Sequence, residues 1–203
     1  MRKAGITVIL ILLLGLPVLL GAQDIPSDDI WDDYNYNLFE RGDQTFLFSL
    51  GTSFPLFFIN ESGIIDHKID PPVGGAGSLG VNYYLSPYFF LGGEGGGMFL
   101  PTIGKSTLYI VHLGFKTGFQ LIGGRFEFPI SASIGISWQN FLDHAYFGLY
   151  MKAAGSVFYR ATADWAFGLT SSMYWFPQWI RENRSQNVNG FFLDLTLSAR
   201  YQF

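Results

Sequence analysis

The final segment of the chain alternates between apolar and polar side chains. In FFLDLTLSARYQF one face carries Phe191, every second residue after it and Phe203, all apolar, whereas the other face includes Asp194 and Arg200. Successive side chains of a β-strand point to opposite faces, so this period of two predicts a strand with one apolar and one largely polar surface. Any fold of this chain must present that continuous apolar face to something other than water.

The same alternation recurs along residues 44–203, between turn signals. The connections after the second, fourth and sixth segments are tight, and those after the first and seventh are long. An even number of strands with short turns on one side is typical of an up-and-down barrel. The sequence therefore predicts an all-β fold, an eight-stranded antiparallel up-and-down transmembrane β-barrel. The predicted strands cover approximately Gln44–Phe54, Gly74–Tyr84, Tyr88–Leu100, Leu108–Leu121, Phe126–Trp138, Ala145–Tyr159, Trp165–Trp175 and Phe191–Phe203.

Composition favours a lipid-facing barrel over a soluble one. Charged residues make up 14% of the chain and aromatic residues 18%, whereas an ordinary soluble domain has about 25% charged residues. No charge-free apolar run after Leu20 is suited to a transmembrane helix. A closed barrel pairs its backbone groups within the bilayer without helices. Pro129 cannot donate to the ladder, so we expect a bulge or a late start of pairing in the fifth strand.

The N-terminus has the pattern of an export signal. Met1-Arg2-Lys3 is basic, Ala4 to Leu20 is an apolar run, and Gly21-Ala22 supplies small residues before a polar stretch. This order predicts a signal peptide over residues 1–22, with an uncleaved anchor as the alternative. The chain has no cysteine, which excludes disulfides, thiolate metal sites and a lipid anchor on cysteine.

Residues 23–43 form an acidic lead into the predicted barrel, residues 44–203. This lead holds seven acidic side chains against Arg41 alone. We interpret it as a solvated periplasmic arm, and a plug or docking segment is the alternative. The rest of the mature chain is close to neutral and has no basic patch, so nucleic-acid binding is disfavoured.

Several ionisable side chains fall on the inward parity of the predicted strands. An eight-stranded barrel is just wide enough for side chains to fill it, and charges inside it must be paired. We therefore predict a polar network that closes the lumen, with a gated polar path or proton-sensitive switch at Glu94 and His112 as the alternative. Centring one turn near Ile103 places Glu94 opposite His112. The predicted network is Glu94, His112, Lys116, Glu127, Lys152, Arg160, Asp194 and Arg200.

The glycine-rich stretch LGGEGGGMFLPTIGKST resembles a phosphate loop only at its end. That motif needs glycine five positions before Gly104, where Phe99 stands, and the dinucleotide motif needs glycine at Met98. We therefore predict no nucleotide site, no other cofactor and no metal. By alternation, Gly92 and Gly96 flank Glu94 on the inward face, where they leave room for long side chains from the opposite wall.

Phe203, with Tyr201 two residues before it, resembles the C-terminal signature of bacterial outer-membrane β-barrels, which the barrel assembly machinery recognises. In size and layout the chain is similar to the OmpW, OmpX and OmpA-barrel group. The resemblance implies an outer-membrane protein with periplasmic termini, whose partners are outer-membrane lipid and the assembly machinery. A girdle of aromatic residues at the two membrane interfaces is then expected at Trp138, Tyr159, Trp165, Trp175 and Tyr201.

The resemblance leaves more than one function open. An OmpX-like protein implies a structural or adhesive role, and an OmpW-like protein implies a narrow channel for small or hydrophobic molecules. The charged inward face favours a structural or surface-binding barrel with a largely plugged lumen. Trp179, Arg181 and Arg184 in the last outer loop are candidates to contact a small hydrophobic or surface ligand.

A lipid-modifying barrel enzyme is a minor alternative. Barrel enzymes of this class need a histidine with a serine and an acid near the membrane face. His112 is predicted to point inward with no serine beside it, Ser137 is a distant candidate, and Asp143-His144 is the only suggestive pair. We therefore predict no catalytic residues and no enzymatic activity.

Overall fold

The computed structural model describes residues 39–60, 63–65, 72–101, 107–141, 144–178 and 187–203. The predicted signal peptide and most of the predicted arm lie outside these residues. Nine strands form within them: β1 (Gln44–Asn60), β2 (Gly63–Ile65), β3 (Gly74–Ser86), β4 (Phe89–Pro101), β5 (Thr107–Gly123), β6 (Phe126–Phe141), β7 (His144–Arg160), β8 (Trp165–Gln178) and β9 (Val188–Gln202). No helix in the described part of the chain is long and apolar enough to cross a membrane.

Eight of the strands close into a barrel. Strands β3 to β9 pair antiparallel in chain order, β1 pairs with β3, and β1 also pairs with β9. Within the described residues, closure gives each of these eight strands a neighbour on both sides, which is the requirement for a sheet in contact with lipid. The predicted eight-stranded antiparallel barrel is confirmed.

The ninth strand, β2, was not predicted from the sequence. It forms a hairpin with the far end of β1, where Asn60 pairs with Gly63 and Ile59 pairs with Ile64. Residues 55–60 were predicted as loop, but they continue β1 and pair with β9 after a register shift between Pro55 and Phe57. Proline cannot donate to the ladder, so the shift at this position has a direct cause.

The barrel has two different ends. The turn end carries the tight connections at residues 87–88, 124–125 and 161–164, and the loop end carries the remaining connections. Strands β5 and β7 each have 17 residues, which at about 3.3 Å per residue is about 56 Å of strand. Strands β6, β8 and β9 extend further toward the loop end than the sequence predicts, to Phe141, Gln178 and Val188, so the loops that they border are shorter.

The outer face of the barrel is apolar and the inner face carries the polar side chains. Phe115 on β5 is the most exposed aromatic side chain of the described barrel, at 81%, and Leu197 on β9 is 70% exposed. Glu94, Glu127 and Asp194 are 4% exposed or less. The alternation in the sequence therefore assigns the two faces correctly, and the outer face is of the kind that lipid covers.

Pairing at Pro129 differs from the expectation. Pro129 is paired with Gln120 of β5. Toward β7, pairing passes from Glu127 with Phe158 to Ile130 with Gly155 without a register shift. The ladder with β7 is interrupted at the proline because its nitrogen has no hydrogen to donate, and the expected bulge is absent.

Candidate functional site

The lumen holds the chemistry-bearing side chains, and the first group of them lies near the turn end. Glu127 on β6 accepts hydrogen bonds from Arg160 Nε at 2.7 Å, from Gln120 Nε2 at 2.7 Å and from Arg200. All four side chains are buried. One carboxylate therefore pairs with two guanidinium groups, so each buried charge has a partner although the cluster keeps one positive charge in excess.

Phe39 closes this cluster on the turn side. Its ring stacks on Tyr84 at 4.1 Å between centroids, and Cζ of Arg160 and Cζ of Arg200 each lie 4.9 Å from its ring centroid. Phe39 is fully buried and packs with Tyr84 and Phe90. The expectation of a solvated arm does not hold for this residue, because two cations and two aromatic rings provide it with a site inside the barrel.

A second charged group lies nearer the middle of the lumen. Lys152 Nζ on β7 lies 2.9 Å from Glu94 Oε2 on β4, and Tyr150 Oη donates to Glu94 Oε1 at 3.4 Å. Lys116 is also buried, with its Nζ 5.7 Å from the Phe90 ring centroid. Glu94 and Lys152 come from strands three apart in the ring of eight, so their ion pair crosses the lumen.

The register around Glu94 corrects one sequence expectation. Glu94 pairs with Gly114, and His112 pairs with Gly96, so Glu94 and His112 are not opposite each other. A Cβ on Gly114 would lie 2.6 Å from Tyr150 Oη, and a Cβ on Gly96 would lie 3.0 Å from Cε1 of His112. The glycines thus make room for Tyr150 and His112 inside the barrel.

His112 lies between two tyrosines. Its ring centroid is 4.8 Å from that of Tyr150 and 5.2 Å from that of Tyr174. Neither ring nitrogen has a hydrogen-bond partner among the described residues. Ser137 is its direct neighbour on β6, which corrects the expectation that no serine stands beside His112. The Ser137 hydroxyl donates instead to the Leu149 carbonyl at 3.3 Å.

The loop end of the lumen is filled by apolar side chains, which the sequence prediction missed. The ring centroid of Phe176 lies 5.6 Å from that of Tyr174 and 5.6 Å from that of Phe192. The sequence contains the signal for this filling. Toward the loop end of several strands, the inward-facing positions change from polar to apolar residues. The buried members of this loop-end plug are Ala76, Met98, Leu100, Leu108, Ile110, Tyr150, Tyr174, Phe176 and Phe192.

The aromatic residues predicted as girdles lie on the outer face. The ring centroid of Tyr201 lies 5.1 Å from that of Trp165 and 6.1 Å from that of Phe203, and all three rings are at the turn end. Tyr159 packs beside Phe126 at the same end. Trp138 and Trp175 lie on the loop half of β6 and β8.

The outer-loop candidates fall in the gaps between the described ranges. Trp179, Arg181, Arg184 and Asp143 lie outside the described residues, and so does the side chain of His144. In the described ranges, no cluster of three or more histidine or acidic residues could hold a metal ion.

The closed barrel, its apolar outer face and its charged interior define the class of small transmembrane β-barrels. The structure of Neisserial surface protein A has a TM-score of 0.59 to this one at 8% identity, over 80% of this chain and 97% of that one. The outer membrane protein OprG of Pseudomonas aeruginosa has a TM-score of 0.52 at 9% identity, over 81% and 97%. The fold is therefore that of a small outer-membrane barrel.

Comparison by sequence gives two further matches. A protein-family model matches residues 26–201, most of the chain, and the chain belongs to the family that this model describes. A protein described as uncharacterized from Treponema pallidum (strain Nichols) is 28% identical over 95 residues, which is 47% of this chain and 43% of that protein. The match therefore spans less than half of that relative's length.

Proposed function

We propose that this protein is an integral outer-membrane barrel with a structural or surface-binding role, whose lumen is closed to solutes. The observation that carries the proposal is the filling of the described lumen at both ends. Phe39, Tyr84 and Phe90 cover the Glu127 cluster at the turn end, and the loop-end plug fills the opposite end. A solute would have to displace packed aromatic rings and break buried ion pairs, each of which costs several kcal/mol.

Location in the outer membrane is part of the same proposal. Its support is the exposed apolar belt, the aromatic residues at both ends of that belt, and the fold shared with outer-membrane barrels. Heat-modifiable migration of the folded protein in detergent gels, and its recovery in the outer-membrane fraction of the producing cell, test this part. Recovery in the soluble fraction would contradict it.

Conductance in planar bilayers tests the closed lumen. The refolded chain is expected to give no reproducible single-channel steps. Phe39→Ala and the pair Phe176→Ala with Phe192→Ala should each stay silent, because each leaves one end filled. The combination of all three removes aromatic rings from both ends, and any block that remains would come from the ion pairs of Glu127 and of Glu94 with Lys152, which stay in the lumen. Steps from the unmodified protein at low voltage would rule out the closed lumen.

A narrow channel for hydrophobic molecules is the second candidate. The observation that favours it is the apolar lining of the loop half of the lumen, where Leu100, Leu108 and Ile110 are buried. Uptake of small hydrophobic solutes into vesicles that contain the protein tests this candidate. Uptake above that of empty vesicles, reduced by Ile110→Trp, would favour a channel over the closed barrel.

A lipid-modifying enzyme has less support from the geometry. His112 and Ser137 are neighbours, but both point into the lumen and are buried. A lipid on the outer face has no contact with either side chain. Unchanged lipid profiles in cells that produce the protein are the expected result.

A further inference from the structure

A small cavity lies in the middle of the lumen, between the turn-end cluster and the loop-end plug. Its volume, counted as the space open to the centre of a water molecule, is about 20 Å³. Lys116, Lys152 and Asp194 line it. Its remaining polar side chains all carry hydroxyl groups, and Ser49, Ser156, Thr170, Tyr174 and Thr196 are among them.

Two polar groups at this cavity have hydrogen-bonding capacity left over. Asp194 is 3% exposed, and its Oδ1 has no hydrogen-bond partner among the described residues. Ser49, Ser198, Thr170 and Ser156 form a hydroxyl chain with spacings of 2.7, 2.9 and 2.9 Å. Four hydroxyls supply four donors, and three hydrogen bonds use three of them, so one O–H remains.

We propose that this cavity is a hydration site, which binds one or a few water molecules against Asp194, the hydroxyl chain and the two lysine ammonium groups. A buried carboxylate oxygen without a donor is strongly unfavourable. A cavity of about 10–15 Å³ by this measure accommodates one water, provided that polar partners surround it. The present cavity meets both conditions, and it is too small for a sugar or a phosphate.

Water fits the lining better than a small anion does. Water donates to the Asp194 carboxylate and accepts from a lysine ammonium group at the same time. A halide ion could accept from the lysines but could not donate to Asp194, and the carboxylate would repel it. The site does not depend on whether the lumen conducts, because an open lumen would also be hydrated.

Substitution of Ala154 gives a matched test, since Ala154 is buried and lines the cavity. Ala154→Val fills the space and displaces water, so we expect the melting temperature to fall by roughly 4–8 °C. Ala154→Thr has the same shape but supplies a hydroxyl, and should restore about half of that loss. Ala153→Val, on the adjacent lipid-facing position, controls for the change in strand propensity.

The outcomes decide the proposal in both directions. A rise in melting temperature in Ala154→Val would indicate a dry cavity, and equal losses in the Val and Thr variants would indicate crowding alone; either result overturns the proposal. A crystal structure of the full chain should also show density within hydrogen-bond distance of Asp194 Oδ1. An anomalous peak at that position after bromide exchange would assign the site to an anion and overturn the proposal.

Discussion

Lys152 Nζ lies 2.9 Å from Glu94 Oε2, and the two residues belong to strands three apart in the ring of eight, so the contact crosses the lumen. Both side chains are buried, so neither charge can be solvated by bulk water. Such a pair adds little stability compared with apolar residues of the same shape, but removing one partner leaves the other charge uncompensated. The pair therefore connects opposite walls of the lumen at its middle.

Replacing one partner of this pair should destabilise the barrel more than replacing both. Glu94→Gln is expected to lower the free energy of unfolding by about 3–5 kcal/mol, because the Lys152 ammonium group stays buried. The double variant Glu94→Gln/Lys152→Met should recover most of that loss. Equilibrium unfolding in urea, followed by tryptophan fluorescence in lipid vesicles, measures both. Additive losses in the double variant would argue against a direct pair.

Phe39 should contribute to stability as a core residue although it precedes the first strand. Phe39→Ala is expected to cost about 3–5 kcal/mol, since it removes a buried ring that contacts Tyr84 and two guanidinium groups. Phe48→Ala, on the outer face of β1, is the matched control and should cost less. The same unfolding measurement applies, and equal losses in the two variants would place Phe39 outside the lumen.

Gly114 faces the lumen and Gly155 faces outward, so substitution by alanine should affect stability differently at the two positions. A Cβ on Gly114 would meet Tyr150 Oη and the backbone of β6, whereas a Cβ on Gly155 meets nothing within 4 Å. Gly114→Ala is expected to lower stability by about 1–3 kcal/mol through overpacking. Gly155→Ala should be neutral or slightly stabilising. Folding yield and unfolding midpoints report the difference, and a tolerated Gly114→Ala would contradict the close packing of Gly114 against Tyr150 and the β6 backbone.

A cation on the outer face should be most costly at mid-depth. Phe115→Lys is expected to destabilise the protein in lipid vesicles by about 2–4 kcal/mol, and Leu121→Lys, nearer the turn end of the same strand, by about 0–1 kcal/mol. Refolding equilibria in vesicles measure this. If the two substitutions cost the same, the belt around Phe115 is not at the centre of a bilayer.

The alternation along the strands predicted the faces of the barrel, but it could not predict the register. Glu94 was expected opposite His112, and it pairs with Gly114. Strand β4 carries Gly92, Gly93, Gly95, Gly96 and Gly97, so it offers few side chains that distinguish one register from another two residues away. A shift by two residues keeps every side chain on its own face, so the pattern of exposure gives no indication of the error.

Other features depended on contacts that sequence patterns do not contain. Phe39 lies in an acidic stretch, and its burial is explained by contacts inside the barrel with two guanidinium groups and with the rings of Tyr84 and Phe90. The ion pair of Glu94 with Lys152 joins residues 58 positions apart. Their inward parity was predicted, but the choice of partners depends on the tilt and closure of the sheet.

The pairing of β1 with β9 has a consequence for how this protein assembles. Ser49 and Ser198 share a hydrogen bond across 149 positions of sequence, at the seam where the sheet closes. Until that seam forms, two strand edges and the apolar outer surface are exposed and can pair with or contact other chains. Such non-local pairing is slow. The seam, rather than any single turn, is therefore where assembly competes with aggregation, and where a folding catalyst would act with most effect.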